Sequence, residues 1–253
     1  MKSSFDITAP GFERWRVLPC EAVQGILVAI RSAVALPSPA RVLDLGAGTG
    51  RIGKAFVIAG DFYTGVDTSL AMLRQFPAAG DRCHLVQADG GQLPFRDSFF
   101  DLVLLMQVLS TTDSQKILCE VQRVLRPGGA VAVGHTVRPE EGMDARLKRR
   151  LTATLEEMQI AWHEPKKPRK QALASLKNSA SRHVHLQAAT WSVNTSAEEF
   201  LERRRTGARF AELPADVQEQ ALARLRAWAE ANFGSVKAEF QEARSFELDI
   251  FEF

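Results

Sequence analysis

The stretch RVLDLGAGTG, Arg41 to Gly50, sets the reading of the whole chain. Val42, Leu43 and Leu45 form a short apolar run suited to a buried parallel strand, and Gly46, Gly48 and Gly50 follow at alternate positions. Glycine permits a tight turn and a close approach of the backbone to a ligand. A strand, a glycine-rich turn and a helix (Arg51 to Ala59) make a nucleotide-cofactor cradle in an open α/β sheet. The spacing is G-x-G-x-G. Counted from Gly46 it does not fit the G-x-G-x-x-G of a dinucleotide site, since Arg51 stands where the third glycine would fall; counted from Gly48 the third glycine is Gly53, but the turn then lies late against the strand. A phosphate-binding GK[ST] is missing too, because Gly53-Lys54 is followed by Ala55. An ordinary glycine-rich strand–helix turn stays open as the alternative.

Working outward, strands and helices alternate. Phe62 to Val66 reads as a second strand ending in Asp67, Cys83 to Gln87 as a third, Phe100 to Val108 as a fourth and Ala130 to Val133 as a fifth. Between them, Thr68-Ser69 offers capping hydroxyls to a helix opened by Leu70. Ile117, Leu118, Val121, Val124 and Leu125 recur at helical spacing until Arg126-Pro127-Gly128-Gly129 ends them in a tight turn. Before the first strand, Glu21 to Leu36 carries a helical stripe that stops at Pro37. This rhythm predicts an α/β fold: a parallel sheet with helices on both faces.

Beyond His135 the rhythm changes. A stripe of Met143, Leu147, Leu151, Leu155 and Met158 predicts a helix, and Ala172 to Leu176 a shorter one. Val184 to Trp191 predicts a sixth strand, Ser196 and Glu199 a capping box, Pro214 the start of a long helix, and Ser245 to Phe253 a closing strand. The expected organisation is a single domain, 1–253, elaborated by an N-terminal lid (1–20, rich in aromatics) and a substrate-side insertion (137–181).

Composition narrows the function. The chain has 253 residues, 45% hydrophobic and 25% charged, with a formal charge of only +2. Such a balance is ordinary for a globular protein and unlike a polycation that wraps nucleic acid. Three cysteines (Cys20, Cys83, Cys119) without C-x-x-C spacing predict reduced thiols in a cytoplasmic setting and no structural zinc. His183 and His185 share a strand face, but no third ligand of matching placement suggests a metal. No stretch reaches the length of a membrane span, and monomer and homodimer both stay open.

In an open parallel sheet, ligands sit outside the carboxyl ends of the strands. Asp67, about twenty residues past the glycine turn, can accept both hydroxyls of a ribose; the alternative is a helix cap beside Thr68. Asp89, at the end of the third strand, can accept an adenine amino group; the alternative is an ordinary Asp-Gly turn.

The set VLDLGAGTG, GVDTSLAML, ADGGQLPFRDSFFDLV and RVLRPGGAVAVG resembles the class I S-adenosylmethionine-dependent methyltransferases, above all the small-molecule group with the ubiquinone and menaquinone biosynthesis enzymes. The resemblance covers about Arg41 to Gly134. It implies a Rossmann-like seven-stranded mixed sheet of order 3-2-1-4-5-7-6 with the last strand antiparallel, and S-adenosyl-L-methionine as cofactor with S-adenosyl-L-homocysteine as product. On this template Gly46, Ala47, Gly48 and Gly50 line the methionine part, with Asp44 near its ammonium. Asp67 with Thr68 holds the ribose, Leu70 touches the adenine, and Asp89 with Gly90 and Gln92 binds its amino group. Gln107 faces the methyl donor, where many relatives carry histidine or asparagine. His135, just past the fifth strand, is the candidate base or substrate partner.

The implied reaction is methyl transfer to a small-molecule acceptor, aromatic or apolar. In the expected acceptor pocket Phe12, Trp15 and Arg16 cover the donor while Met143, Leu147 and Trp191 form an apolar wall or, alternatively, core. Two rivals stay in view. An RNA methyltransferase would use the basic runs Lys148–Arg150, Lys166–Lys170 and Arg203–Arg205, although acidic neighbours and a missing aromatic ladder weigh against nucleic acid. A non-catalytic cofactor-binding regulator would need no catalytic side chain.

Overall fold

The computed structural model describes residues 18–77, 80–109, 114–162, 168–205 and 207–253. The expected lid residues Phe12, Trp15 and Arg16, together with Asp113 and His163, lie outside the described residues. In chain order the elements are α1 (Cys20–Ala33), β1 (Arg41–Leu45), α2 (Gly53–Ile58), β2 (Phe62–Asp67), α3 (Leu70–Leu73), β3 (Cys83–Gln87), β4 (Phe100–Met106), α4 (Ser114–Val124) and β5 (Leu125–Val137). They continue with α5 (Met143–Glu157), α6 (Pro168–Ser179), β6 (Arg182–Ser196), α7 (Ala197–Arg205), α8 (Ala208–Ala211), α9 (Ala215–Phe233) and β7 (Glu239–Glu252).

The strands form one mixed sheet of order β3-β2-β1-β4-β5-β7-β6, with helices flanking it in a Rossmann-like arrangement. Pairings β3–β2, β2–β1, β1–β4 and β4–β5 are parallel. The direction of β7 follows from its partners. Phe253 exchanges backbone hydrogen bonds with Gly128 and Gly129 at the start of β5, whereas Glu247 meets His135 near its end. β7 therefore runs antiparallel to β5, as the resemblance implies.

Burial explains why the central strands are unbroken apolar runs. Every residue of β4 is buried, because helices cover both faces of the sheet. One face packs Leu43, Leu45, Val103, Leu105, Val131 and Val133 against Ile117 and Val121 of α4 and Ala172 and Leu176 of α6.

The chain forms two compact units. The sheet unit comprises Leu18–Thr136, Pro165–Ala189 and Ser245–Phe253. The other comprises, among the described residues, 137–162, 190–205 and 207–244. Its core brings Leu147, Leu151 and Leu155 of α5 against Phe200 of α7, Phe210 of α8 and Leu222 and Leu225 of α9.

Five boundaries differ from the sequence expectation, one being the end of β5, which runs to Val137 rather than Val133. β4 stops at Met106 rather than Val108, because Gln107 turns to φ 63°, outside the extended region. Leu125 belongs to β5 rather than the preceding helix: it pairs with Phe100, and the next pair is Leu102 with Ala130. Arg126 to Gly129 are therefore an excursion within one strand, allowed by Gly128 at φ 75°. β6 and β7 are also longer than the alternation of apolar residues suggested. The Ser196 cap is present, its hydroxyl accepting the Glu199 N–H at 3.2 Å.

Candidate functional site

The parallel register sets the site. Leu45 pairs with Val66, and Asp67 pairs with Gln87, so β1, β2 and β3 end side by side. That alignment brings Asp44, Asp67 and Asp89 to one end of the sheet, where the sequence placed them.

The glycine turn has φ of 73° at Gly46, 56° at Gly48 and 81° at Gly50, left-handed values that other residues rarely adopt. Packing adds a second requirement. A methyl group at Gly46 would overlap Val108, and one at Gly50 would lie 2.5 Å from the Phe76 ring. At Gly48 the neighbourhood is open: the nearest atoms are the Gly46 carbonyl at 3.9 Å and an Asp67 oxygen at 4.0 Å. Among the described residues the position above Gly48 is thus open, with a carboxylate on one side.

The backbone donors of the turn are committed within the chain, which the glycine pattern alone did not reveal. Gly46 and Ala47 donate to the Val66 carbonyl (2.7 and 3.0 Å), and Gly50 donates to Ala47 (3.0 Å). Gly48 donates to Asp67 Oδ2 at 2.9 Å. The turn offers a ligand space rather than those N–H groups.

Asp67 holds two backbone N–H groups. Besides holding Gly48, its Oδ1 accepts the Ser69 N–H at 2.8 Å, while the buried Ser69 hydroxyl caps α3 through Met72 N–H at 3.2 Å. A carboxylate has about four lone-pair sites, and these two bonds each use one on a different oxygen. Thr68 beside it is exposed, and its carbonyl accepts from the Gln87 amide at 3.0 Å. Leu70 is 40% exposed despite its apolar side chain. Asp89 is exposed, and its Oδ1 accepts the Gly91 N–H at 2.8 Å in a local turn. Gly90 faces Ile117 at ordinary contact distance.

Asp44 lies beneath the turn at 3% exposure, with the Tyr63 hydroxyl donating to its Oδ2 at 2.7 Å. Burial pushes its carboxyl up to about 7; the Tyr63 hydrogen bond opposes the rise and the charge on Asp67 adds to it. Tyr63 was not singled out from the sequence, where it reads as one more strand aromatic. The signal was indirect. Gly53 and Gly65 have no side chains where the Tyr63 ring lies, and a methyl at either would press on it.

Gln107 stands just past the end of β4, whereas His135 lies within the last residues of β5 rather than past it as the sequence suggested, because β5 runs on to Val137. Gln107 donates its N–H to Gly134 at 2.8 Å and its side-chain amide to Thr136 at 3.2 Å, tying the two strand ends together. Its positive φ is a strain that a residue with a side chain bears at roughly 1–3 kcal/mol. His135 is half-buried. Burial, then the Arg169 cation, hold its ring below the ordinary histidine range, against the opposing pull of Asp249. Nδ1 of His135 is buried with no hydrogen-bond partner among the described residues.

His183 and His185 do share a strand face, and both approach Asp249 Oδ1, at 3.1 and 3.0 Å, with Arg169 on Oδ2 at 3.1 Å. Among the described residues no three His, Cys, Asp or Glu side chains are arranged to hold a metal ion. Met143 and Leu147 are 4% and 0% exposed in the core of the second unit, the alternative reading for them. Of the basic runs, Arg149 pairs with Glu141, Arg150 with Glu157, Arg203 with Asp144 and Arg205 with Glu202.

Residues 43–133 match the family model described as a methyltransferase domain. A demethylmenaquinone methyltransferase of Clavibacter sepedonicus is 39% identical over 110 residues, 42% of this chain and 45% of that protein. A malonyl-[acyl-carrier protein] O-methyltransferase of Pseudescherichia vulneris is 42% identical over 95 residues, 37% and 38% of the two chains. The chain thus spans less than half the length of either relative. Among solved structures, a SAM-dependent methyltransferase of Geobacter sulfurreducens in complex with S-adenosyl-L-homocysteine shares the fold at TM-score 0.56 and 16% identity, covering 100% of both chains.

Proposed function

We propose that the chain is a class I S-adenosylmethionine-dependent methyltransferase that transfers a methyl group from S-adenosyl-L-methionine to a small-molecule acceptor, a reading supported by the matched methyltransferase-domain segment and the strand order. The observation that carries this reading is the left-handed glycine turn, open at Gly48 and tied by it to Asp67, at the common end of β1, β2 and β3. The donor set fits such a group. A cationic amino-acid end would suit the buried Asp44 carboxyl, a ribose the Asp67 carboxylate at the end of β2, and an adenine the exposed Leu70 surface and Asp89.

When bound, that cofactor supplies an electrophilic methyl already activated by its sulfonium charge. The chain's own contribution is alignment and proton handling. Gln107 is held rigidly by Gly134 and Thr136 and would fix the wall beside the transferred methyl. His135, kept neutral near pH 7 by burial and Arg169, would accept a proton from an acceptor O–H, N–H or acidic C–H at an imidazole nitrogen.

Relatives named for demethylmenaquinone and for malonyl-[acyl-carrier protein] resemble the chain to a similar degree. Their likeness supports the donor, and an aromatic or apolar acceptor is part of our reading. The carboxylate-paired arginines of the basic runs weigh against a nucleic-acid surface. No described helix is long and apolar enough to cross a membrane. Free Cys20, Cys83 and Cys119 support a reducing, cytoplasmic setting. We read residues 137–181 as acceptor-side elaboration of one methyltransferase domain.

The test is incubation of the full chain with methyl-labelled S-adenosylmethionine and a panel of phenols, quinols, carboxylic acids, amines and RNA. Label on a small acceptor is expected. Label on RNA alone, or cofactor binding without transfer across the panel, would overturn the reading.

A further inference from the structure

The Asp44–Tyr63 pair is more than packing. Asp44 pairs with Gly65 in the β1–β2 register, so Tyr63 sits diagonally across from it, and its phenol reaches back to donate at 2.7 Å. The space for that ring is built by absences. At Gly53, the first residue of α2, a methyl would overlap the Tyr63 hydroxyl; at Gly65 a methyl would lie 3.1 Å from the ring; Phe76, which fills the underside of Gly50, stacks tilted on it at 5.4 Å. Three elements thus hold one hydroxyl against one carboxylate directly under the glycine turn.

The charges facing the pair are few. Asp67, at the end of β2, acts on both groups, and Cys83, across on β3, acts on Tyr63. The register partners of Asp44, Gly65 on β2 and Leu104 on β4, carry no charge. The structure thus places a carboxyl in a buried site beside a second carboxylate, with a phenol as its hydrogen-bond donor. A carboxyl so placed favours its neutral form until a cation comes near.

We infer that Tyr63 is a positioning residue for Asp44, and that the pair couples binding of the cationic cofactor to loss of a proton from the Asp44 carboxyl. This rests on the reading that S-adenosylmethionine and its demethylated product bind above the turn. The ammonium end of either ligand stabilises the carboxylate, so binding releases the proton that Asp44 holds in the free protein. Tyr63 sets where that exchange happens, because its hydrogen bond favours the charged form.

Calorimetric titration of the full chain with S-adenosylhomocysteine tests this, in buffers of different ionisation enthalpy. A net release of protons is expected at about pH 6 to 7, fading by about pH 8.5, because Asp44 is then ionised before the ligand arrives. Asp44→Asn should abolish the release at every pH. Tyr63→Phe keeps the ring and its packing but loses the donor, so the pH at which affinity falls should move upward. Proton release that is absent in the wild type, or unchanged in Asp44→Asn, would overturn the coupling. A Tyr63→Phe variant weakened equally at all pH values would overturn the positioning role. If the wild type takes up no S-adenosylhomocysteine at all, the proposed function falls and this inference with it.

Discussion

Asp67 accepts the backbone N–H of Gly48 at 2.9 Å, so the end of β2 is tied to the middle of the glycine turn. One carboxylate borders the open position at Gly48, and its other oxygen accepts the Ser69 N–H that opens α3. Affinity and local stability are therefore linked at this residue.

Replacing Asp67 with alanine leaves the Gly48 and Ser69 N–H groups without their acceptor. Hydrogen bonds to a charged group contribute about 1.5–3 kcal/mol, so stability should fall by roughly that amount in urea unfolding. Affinity for S-adenosylhomocysteine should fall tenfold or more. Unaltered affinity would remove Asp67 from the ligand site.

Gly46 and Gly48 should separate. In Gly46→Ala the new methyl collides with Val108 in a left-handed backbone, and a loss of about 2 kcal/mol or more is expected. In Gly48→Ala only the backbone conformation resists, at roughly 1 kcal/mol, while the methyl enters the open position. Thermal melts and ligand titration compare them; an equal loss of stability in both would mean the position over Gly48 is filled.

Gln107 holds φ 63° without being glycine. Gln107→Gly should leave stability unchanged or raise it by up to ~1 kcal/mol, since it relieves the strain. Methyl transfer should decline. A clear loss of stability with full activity would mean that the side chain serves only the fold.

Asp44 gives a stability prediction with a definite sign. Its folded-state value is about 7 against an ordinary 3.8, so the folded protein keeps a proton that the unfolded chain gives up between those values. Stability drawn from this group is therefore lost as pH rises through that window, and the loss is complete above it. The advantage of Asp44→Asn over the wild type should grow from near zero at about pH 4 to a few kcal/mol at about pH 8. Parallel stability curves for the two proteins would refute the raised value.

How far the sequence carried depended on whether the signal was local. Arg41 to Gly50, Asp67 and Asp89 were legible because a buried strand, a turn and the residue that follows are all contiguous. Tyr63 was not, since its partner Asp44 lies on a neighbouring strand and only the register brings them together. Gly53 and Gly65 likewise looked like incidental glycines until the ring between them was seen. The histidines at 183 and 185 were placed on one face by alternation, but Asp249, which both approach, comes from β7 more than sixty residues later. Gln107 shows the limit of hydrophobic patterning: the apolar run continues through Val108, while the backbone leaves the strand at Gln107.

The central claim is that an S-adenosyl nucleotide lies over Gly48, with Asp67 beside it. Calorimetric titration of the full chain with S-adenosylhomocysteine, run beside NADH, tests it most directly. Saturable binding of one equivalent of the former and none of the latter is predicted. No detectable uptake of S-adenosylhomocysteine, or preferential uptake of NADH, would contradict it.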